Sequence, residues 1–289
     1  MKKVILFLAA TICSVLMMAQ TNQVTWVNGR AVLGQSISSI DSIKYGVIED
    51  ADQLVLWLPK TIIVHDTVIV HDTIIINKCD SSYAPEGVEM VDLGLPSGIK
   101  WANMNVGATT ITEYGDYFAW GETTPKTTYD WSTYKYCSNG KYTGMTKYTY
   151  PDGLKSGIWY NDDTFIGDNK TTLDPEDDAA HVNWGGNWRM PTLAEIQELE
   201  NNCTWKWVAL QGVNGYKVTG SNGNWIFLPA SGYRYDSSLS RVGFLGYYWS
   251  SSLDEDYSAY AYDLGFNSVD VDWSSSDRYF GHSVRPVCQ

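Results

Sequence analysis

Three kinds of apolar pattern run along this chain. The first is helical and occupies Asp177 to Leu199 (DDAAHVNWGGNWRMPTLAEIQEL). Asp177–Trp184 can form a short helix. Gly185-Gly186-Asn187 must then turn the chain, because glycine accepts positive φ without steric cost. Thr192 is a good N-cap, with Glu195 three residues on to complete a capping box. Leu193, Ile196 and Leu199 recur at helical spacing, so Glu195, Gln197, Glu198 and Glu200 are expected to face water. Trp184, Trp188 and Met190 add apolar mass between the helices. The second pattern is strand-like and fills the C-terminal third. Thr204–Val208, Tyr216–Thr219 and Asn224–Leu228 are separated by glycine turns. Asn267–Trp273 alternates, which predicts Val269, Val271 and Trp273 on the core side and Ser268, Asp270 and Asp272 outside. The third pattern fills the N-terminal quarter. Val24–Val27 and Arg30–Leu33 flank Asn28-Gly29, a β-hairpin signal. Ser42–Tyr45 and Leu54–Leu58 can add strands.

A six-residue repeat follows, Val64-His-Asp-Thr-Val-Ile69 and then Val70-His-Asp-Thr-Ile-Ile75. Its β-branched density disfavours a helix, and its even period keeps equivalent residues on one strand face. The pattern divides the chain into a small β-rich region at 20–60, an extended β stalk at 61–78, a linker at 79–86 and a main domain at 87–289. His65-Asp66 and His71-Asp72 lack the further ligands a metal site requires, and read as polar interruptions that limit edge-to-edge pairing. The stalk is also a place where copies could oligomerise.

The first 19 residues place the chain. Lys2-Lys3 is a basic start, Val4–Ala19 is an apolar run, and Met17-Met18-Ala19 reads as a cleavage site: a secretory signal peptide. An exported product is expected, in the periplasm, on the outer-membrane surface or outside the cell, with no transmembrane segment once the leader is removed. The net charge of -13 disfavours nucleic acid and anionic membranes as partners. Only 18% of residues are charged and 14% are aromatic, mostly Trp and Tyr, a balance that suits a β-rich, ligand-contacting protein.

Beyond the leader lie Cys79, Cys137, Cys203 and Cys288, which allow two disulfides in three connectivities. Cys203 ends the second helix and Cys288 is penultimate. A Cys203–Cys288 bridge is expected, closing a loop long enough to stabilise by about 4–5 kcal/mol; Cys79 and Cys137 stay unassigned. The acidic residues Asp162, Asp163, Asp168, Asp174, Glu176, Asp177 and Asp178 suggest calcium. No Asp-x-Asp-x-Asp-Gly loop supports that, and charge at a helix N-terminus explains them as well. No other cofactor is signalled. His181 and His282 could each supply half of an acid/base pair, but neither has a partner at a defined spacing.

Thr123–Lys155, rich in Thr, Tyr and Lys, is expected to be a long insertion loop with little regular structure, either functional or mobile. The C-terminal third is rich in Tyr, Ser, Asp and Trp. Trp249 and Trp273 suit packing. Tyr248, Asp254, Asp256, Tyr257, Asp270, Asp272, Asp277 and Tyr279 are the candidate ligand-binding residues, since aromatic faces stack on sugar rings and carboxylates accept hydroxyls.

Several stretches carry a resemblance. Val91-Asp-Leu-Gly-Leu-Pro-Ser-Gly-Ile-Lys-Trp101, Tyr114–Glu122 (YGDYFAWGE), Asn183-Trp-Gly-Gly-Asn-Trp-Arg-Met-Pro-Thr192, Tyr248-Trp-Ser-Ser-Ser252 and Ser283-Val-Arg-Pro-Val287 occur in this order. They resemble exported Bacteroidetes proteins related to the Fibrobacter succinogenes major paralogous domain. The resemblance covers roughly residues 88–288. It implies an α+β, C-type-lectin-like fold of two helices and a twisted antiparallel sheet. Asp41-Ser42-Ile43, Asp66-Thr67-Val68 and Asp72-Thr73-Ile74 are similar to the O-glycosylation acceptor sequence of Bacteroidetes, which would place glycans on Ser42, Thr67 and Thr73.

Two functions follow from these readings. The first is a displayed binding module for adhesion, recognising a glycan or a host or bacterial surface protein without catalysis. The second is an enzyme of the formylglycine-generating kind, which shares the broad fold. That chemistry uses a pair of cysteines near the C-terminal core, whereas this chain has Cys288 there with no near neighbour. No Gly-x-Ser-x-Gly elbow or His-Glu-x-x-His motif supplies another catalytic signal.

Overall fold

The computed structural model describes residues 84–152 and 155–288, with the backbone of seven strands between Gln23 and Asn77. The chain divides into two compact units, Met1–Lys78 and Cys79–Gln289. In the first, β1 (Gln23–Val27) pairs antiparallel with β2 (Arg30–Leu33), and β3 (Gly46–Asp50), β4 (Gln53–Trp57) and β7 (Ile74–Asn77) form a sheet. The repeat is not one continuous strand. β5 (Thr61–Val64) and β6 (Thr67–Val70) pair antiparallel in a register that ends at Val64↔Thr67, so the chain reverses between the two. The expected leader, the pairs His65-Asp66 and His71-Asp72, Ser42, Thr73, the side chain of Thr67 and Cys79 lie outside the described residues.

The second unit is α+β, with antiparallel sheets around two short helices. Helix α1 (Ala179–Trp184) starts at Asp178, whose Oδ1 accepts from the backbone N–H of Ala180 and His181 at 2.9 and 3.0 Å. Gly185 and Gly186 follow at φ of 73° and 57°, the turn that paired glycines permit. Helix α2 (Leu193–Asn202) has the Thr192/Glu195 capping box. Ile196 and Leu199 are buried. Its acidic face is less free than expected: Glu195 forms a 2.6 Å ion pair with Arg189, and Glu198 accepts from the backbone and hydroxyl of Ser97.

Two short hairpins, β10 (Tyr160–Asn161) with β11 (Thr164–Phe165) and β15 (Tyr233–Tyr235) with β16 (Ser238–Ser240), accompany two three-stranded meanders. β12 (Thr204–Leu210), β13 (Val213–Thr219) and β14 (Trp225–Pro229) form one. β17 (Gly246–Leu253), β18 (Tyr260–Phe266) and β19 (Val271–Asp277) form the other. A third sheet joins the ends of the unit: β20 (Val287–Cys288) pairs with β9 (Lys100–Ala102), which pairs with β8 (Met90–Asp92). Arg285, in the Ser283–Val287 stretch, is a buried strut. Its guanidinium donates to Asn105 Oδ1 at 2.8 Å and to the carbonyls of Ala102 and Phe227 at 3.0 and 2.9 Å. Burial lowers its pKa to about 10.

Two expectations fail here for physical reasons. The Asn267–Trp273 alternation does not run through one strand. Asn267 Oδ1 accepts from the N–H groups of Val269 and Asp270, which makes residues 267–270 a turn. Val269 is therefore 89% exposed, and Trp273 lies 40% exposed with its ring against Tyr262. Of the three expected core residues, only Val271 packs against the core. The Cys203–Cys288 bridge also does not form. Cys203 and Cys137 carry free thiols, while Cys288 is disulfide-bonded to a partner outside the described residues. The reason is placement: Cys203 borders the apolar cluster of α2 and the β12–β14 meander, and Cys288 belongs to the other cluster, with Trp188 and Trp249. Burial raises the Cys203 thiol to about 11, so it stays protonated and unreactive at neutral pH.

Candidate functional site

The segment after Thr123 is not a loop lying over the domain. Among its described residues the only regular element is a single turn of 3-10 helix at Tyr142–Gly144, yet Tyr129, Tyr134, Tyr136 and Tyr148 are buried. Their hydroxyls satisfy backbone that strands would otherwise pair: Tyr129 donates to Tyr117 O at 2.6 Å and Tyr134 to Trp120 O at 2.7 Å. Tyr148 holds φ of 58°, a left-handed conformation costly for a bulky side chain. Asp168 accepts from its N–H at 2.8 Å, and its hydroxyl donates to Asp177 Oδ2 at 2.6 Å.

Arg278 ties this segment to the loop that follows β17. The guanidinium is fully buried, 4.8 Å from the Trp120 ring centre. It donates to the carbonyls of Lys147 and Tyr148 in the segment and Ser258 in the loop, at 3.0, 3.0 and 2.8 Å, and to the Tyr134 hydroxyl at 2.9 Å. Ser258 repeats the tie. Its hydroxyl accepts from Tyr150 N–H and donates to Tyr150 O at 2.9 and 3.1 Å.

Between the tied walls lies a cavity of about 300 Å³, lined by Trp131, Tyr142, Asp152, Ser156, Trp159, Tyr257, Ser258, Ala259, Tyr260 and Asp277. Tyr142 and Tyr257 stand about half exposed at 51% and 48%. The Trp159 indole N–H donates to Asp152 Oδ2 at 3.2 Å, and the Lys155 N–H to Asp152 Oδ1 at 2.9 Å. Gly157 lies beneath the Trp159 ring, where a Cβ would overlap the indole, so glycine is required there. Asp277 is half-buried at the end of β19. Burial alone raises its carboxyl to about 6, with no compensating hydrogen bond or cation among the described residues.

The structure sorts the eight expected ligand-binding residues. Tyr257 and Asp277 line the cavity. Asp256 is exposed in the same loop. Asp270 and Asp272 are exposed elsewhere, near Glu200 of α2, whose carboxyl is raised by burial and then by these two charges. Three residues are corrected to interior roles. Tyr248 is 2% exposed and donates to Pro229 O at 2.7 Å. Asp254 is 5% exposed, and its Oδ1 accepts from Asp256 N–H within the loop. Tyr279 is buried beneath Trp131, with ring centres 4.7 Å apart. Sequence reasoning missed Trp131, Tyr142, Asp152, Trp159 and Tyr260. The available signal was the aromatic spacing from Tyr129 to Tyr160, too dense for a solvated loop.

No family model, no curated protein and no solved structure matches the chain.

Two other clusters invite chemistry. Asp174, Glu176 and Asp177 bring carboxylate oxygens within 4.8 Å of one another. Lysines already stand among them: Lys147 lies 2.7 Å from Asp174 and 2.5 Å from Asp177, Lys135 2.8 Å from Asp177, and Lys170 2.6 Å from Asp174. Burial pushes the Asp177 carboxyl up, but bonds from Lys135, Lys147, Tyr136 and Tyr148 outweigh it and hold it well below the usual range. The second cluster is Asp263 and His282, fully buried with Nδ1 and Oδ2 3.8 Å apart, too far for a hydrogen bond. The imidazole is stacked between Trp249 and Tyr247 at 4.1 and 5.0 Å. Burial raises Asp263 to about 7 and lowers His282 to about 3, so both are held neutral in mildly acidic solution. His181 caps a turn, with Nδ1 3.2 Å from Trp188 O.

Proposed function

We propose that this chain is an exported binding module that takes a glycan in the cavity between the Trp131–Trp159 wall and the Tyr257–Tyr260 loop. The observation that carries the reading is the lining: five aromatic side chains, two carboxylates and two serine hydroxyls around about 300 Å³. Aromatic faces take the apolar face of a sugar ring, and carboxylates and hydroxyls take its hydroxyl groups. The Arg278 and Ser258 ties set both walls in place before binding, which lowers the entropy cost of association. A C-type-lectin-like arrangement is part of the proposal. Two short helices, antiparallel meanders, a last strand paired with an early one and a long segment of irregular structure that walls the site support it. The leader pattern supports export, and the reading assigns no catalysis.

A glycan-binding screen of the full chain against Tyr142→Ala and Tyr257→Ala tests this. Both side chains are half exposed, so their removal leaves the core intact. At least a tenfold loss of affinity in each is expected. Glycan binding that survives both substitutions would move the site away from the cavity.

A further inference from the structure

No Lys, Arg or His stands among the described residues that line the cavity, although Asp152 and Asp277 both face it. The nearest cations in sequence are committed elsewhere. Arg278, next to Asp277, spends its guanidinium on three carbonyls and the Tyr134 hydroxyl beneath the wall. Lys155, three residues from Asp152, pairs with Asp163 at 3.1 Å. Asp152 is held by the Trp159 indole and the Lys155 backbone. Asp277 has only burial acting on it.

A desolvated carboxylate without a cation costs free energy, and a neutral sugar hydroxyl repays little of that cost. An ammonium group repays more. It pairs with the carboxylate, and its charge is attracted to the faces of tryptophan and tyrosine rings. The lining supplies both at once: Trp131, Tyr142, Trp159, Tyr257 and Tyr260 around Asp152 and Asp277. The cavity is small for a ligand site and suits a single sugar-sized group. The charge of the chain, -13, favours the approach of a cationic ligand.

We propose that the sugar taken into this cavity carries a free ammonium group, an amino sugar that is not N-acetylated, held by Asp277 within the aromatic walls. This rests on the reading of the cavity as a glycan site. Glucosamine oligosaccharides and their fully N-acetylated counterparts differ in that charge and in the acetyl group that replaces it, so the Asp277 variant separates the two, and both can be titrated against the full chain by calorimetry near neutral pH. The free-amine oligosaccharide is expected to bind at least tenfold more tightly. Asp277→Asn should remove that preference, bringing the affinity for the free-amine form down to that for the N-acetylated form. A double Asp270→Asn/Asp272→Asn variant removes surface charge outside the cavity and should keep the preference. Equal affinity for the two oligosaccharides, lost on Tyr257→Ala, would overturn the ammonium proposal and leave the cavity reading standing. A preference lost equally in the Asp270/Asp272 variant would show attraction to the acidic surface at large and also overturn it. No binding of either oligosaccharide would refute the proposal, and a screen with no glycan sensitive to Tyr257→Ala would remove the cavity reading beneath it.

Discussion

The chain places carboxylates beside its aromatic segment in two ways. At Asp174–Asp177, three lysines stand among the acidic groups. At Asp277, aromatic rings surround the carboxylate, and no lysine or arginine stands among the described residues that line the space. The difference appears in the direction of the pKa shifts. Asp177 falls because bonds to lysines and tyrosines outweigh its burial, whereas Asp277 rises because nothing offsets burial. A carboxylate neutralised from within serves the fold. One left uncompensated at a cavity costs the fold stability, and a ligand can recover that cost.

The largest expected effect is at Asp177. Asp177→Asn strands the bonds from Lys135, Lys147 and Tyr148 and should destabilise by about 2–3 kcal/mol near neutral pH. A depressed folded pKa contributes stability that is present above the unfolded value of 3.8 and lost as pH falls through the folded value. The gap between wild type and variant should therefore narrow on acidification below that value. Denaturant midpoints at several pH values measure it. An undiminished gap in acid would mean that Asp177 acts through shape rather than charge.

What was legible in the sequence follows from separation along the chain; at neither carboxylate site were the partners local, since Lys135 and Lys147 lie 42 and 30 residues from Asp177. The helices could be read because capping and periodicity are local: Thr192 and Glu195 are three residues apart, and Asp178 caps its own helix. The turn at Gly185-Gly186 is local too. The cavity is not. Tyr257 and Asp277 were legible as polar or aromatic residues near strand ends. Trp131 and Trp159 are brought to them by long-range ties, those of Arg278, whose acceptors lie 20 and 130 residues away in sequence, and of Ser258 to Tyr150, 108 residues away. The Asn267–Trp273 alternation misled because an Asx turn and a strand share a polar–apolar rhythm, and only the Asn267 side-chain bonds separate them. The cysteine pairing misled because position along the chain does not say which apolar cluster a side chain joins.

Between the two extremes stands the interior pair Asp263 and His282, with neither a lysine partner nor a cavity. Asp263, raised to about 7, contributes stability that is fully present below 3.8 and lost as pH rises through about 7. His282, lowered to about 3, contributes stability that is present above 6.5 and lost as pH falls through about 3. The two slopes oppose each other across mildly acidic pH and flatten the profile there. His282→Phe keeps a ring beside Trp249 and removes one slope. Its stability should fall steadily as pH rises from about 4 to about 7, by urea titration. A flat profile in the variant would show that Asp263 has found another proton donor.

Asp277→Asn should act in the opposite direction to Asp177→Asn. Its raised folded pKa means stability is fully present below 3.8 and lost as pH rises through about 6. Removing the charge should stabilise the unliganded protein near neutral pH by about 1 kcal/mol, well short of the full shift because the group is partly solvated. The gain should vanish below 3.8. Thermal melts at both ends of that range check the sign, and a destabilised variant at neutral pH would place an undetected cation partner beside Asp277.

The smallest effect belongs to Asp270 and Asp272. Both are exposed, and exposed substitutions usually move stability by less than about 0.5 kcal/mol. Their one evident electrostatic influence is on Glu200, which burial raises first and these two charges raise further. A raised carboxylate loses stability as pH rises through its folded value, so removing two neighbouring charges should ease that loss. Asp270→Ala/Asp272→Ala is therefore expected to be neutral or slightly stabilising near neutral pH, with glycan affinity unchanged. Loss of glycan affinity in this double variant, with Tyr257→Ala unaffected, would invert the comparison: the exposed carboxylates beside α2 would be the ones that meet the ligand, and the cost carried by Asp277 would belong to packing alone.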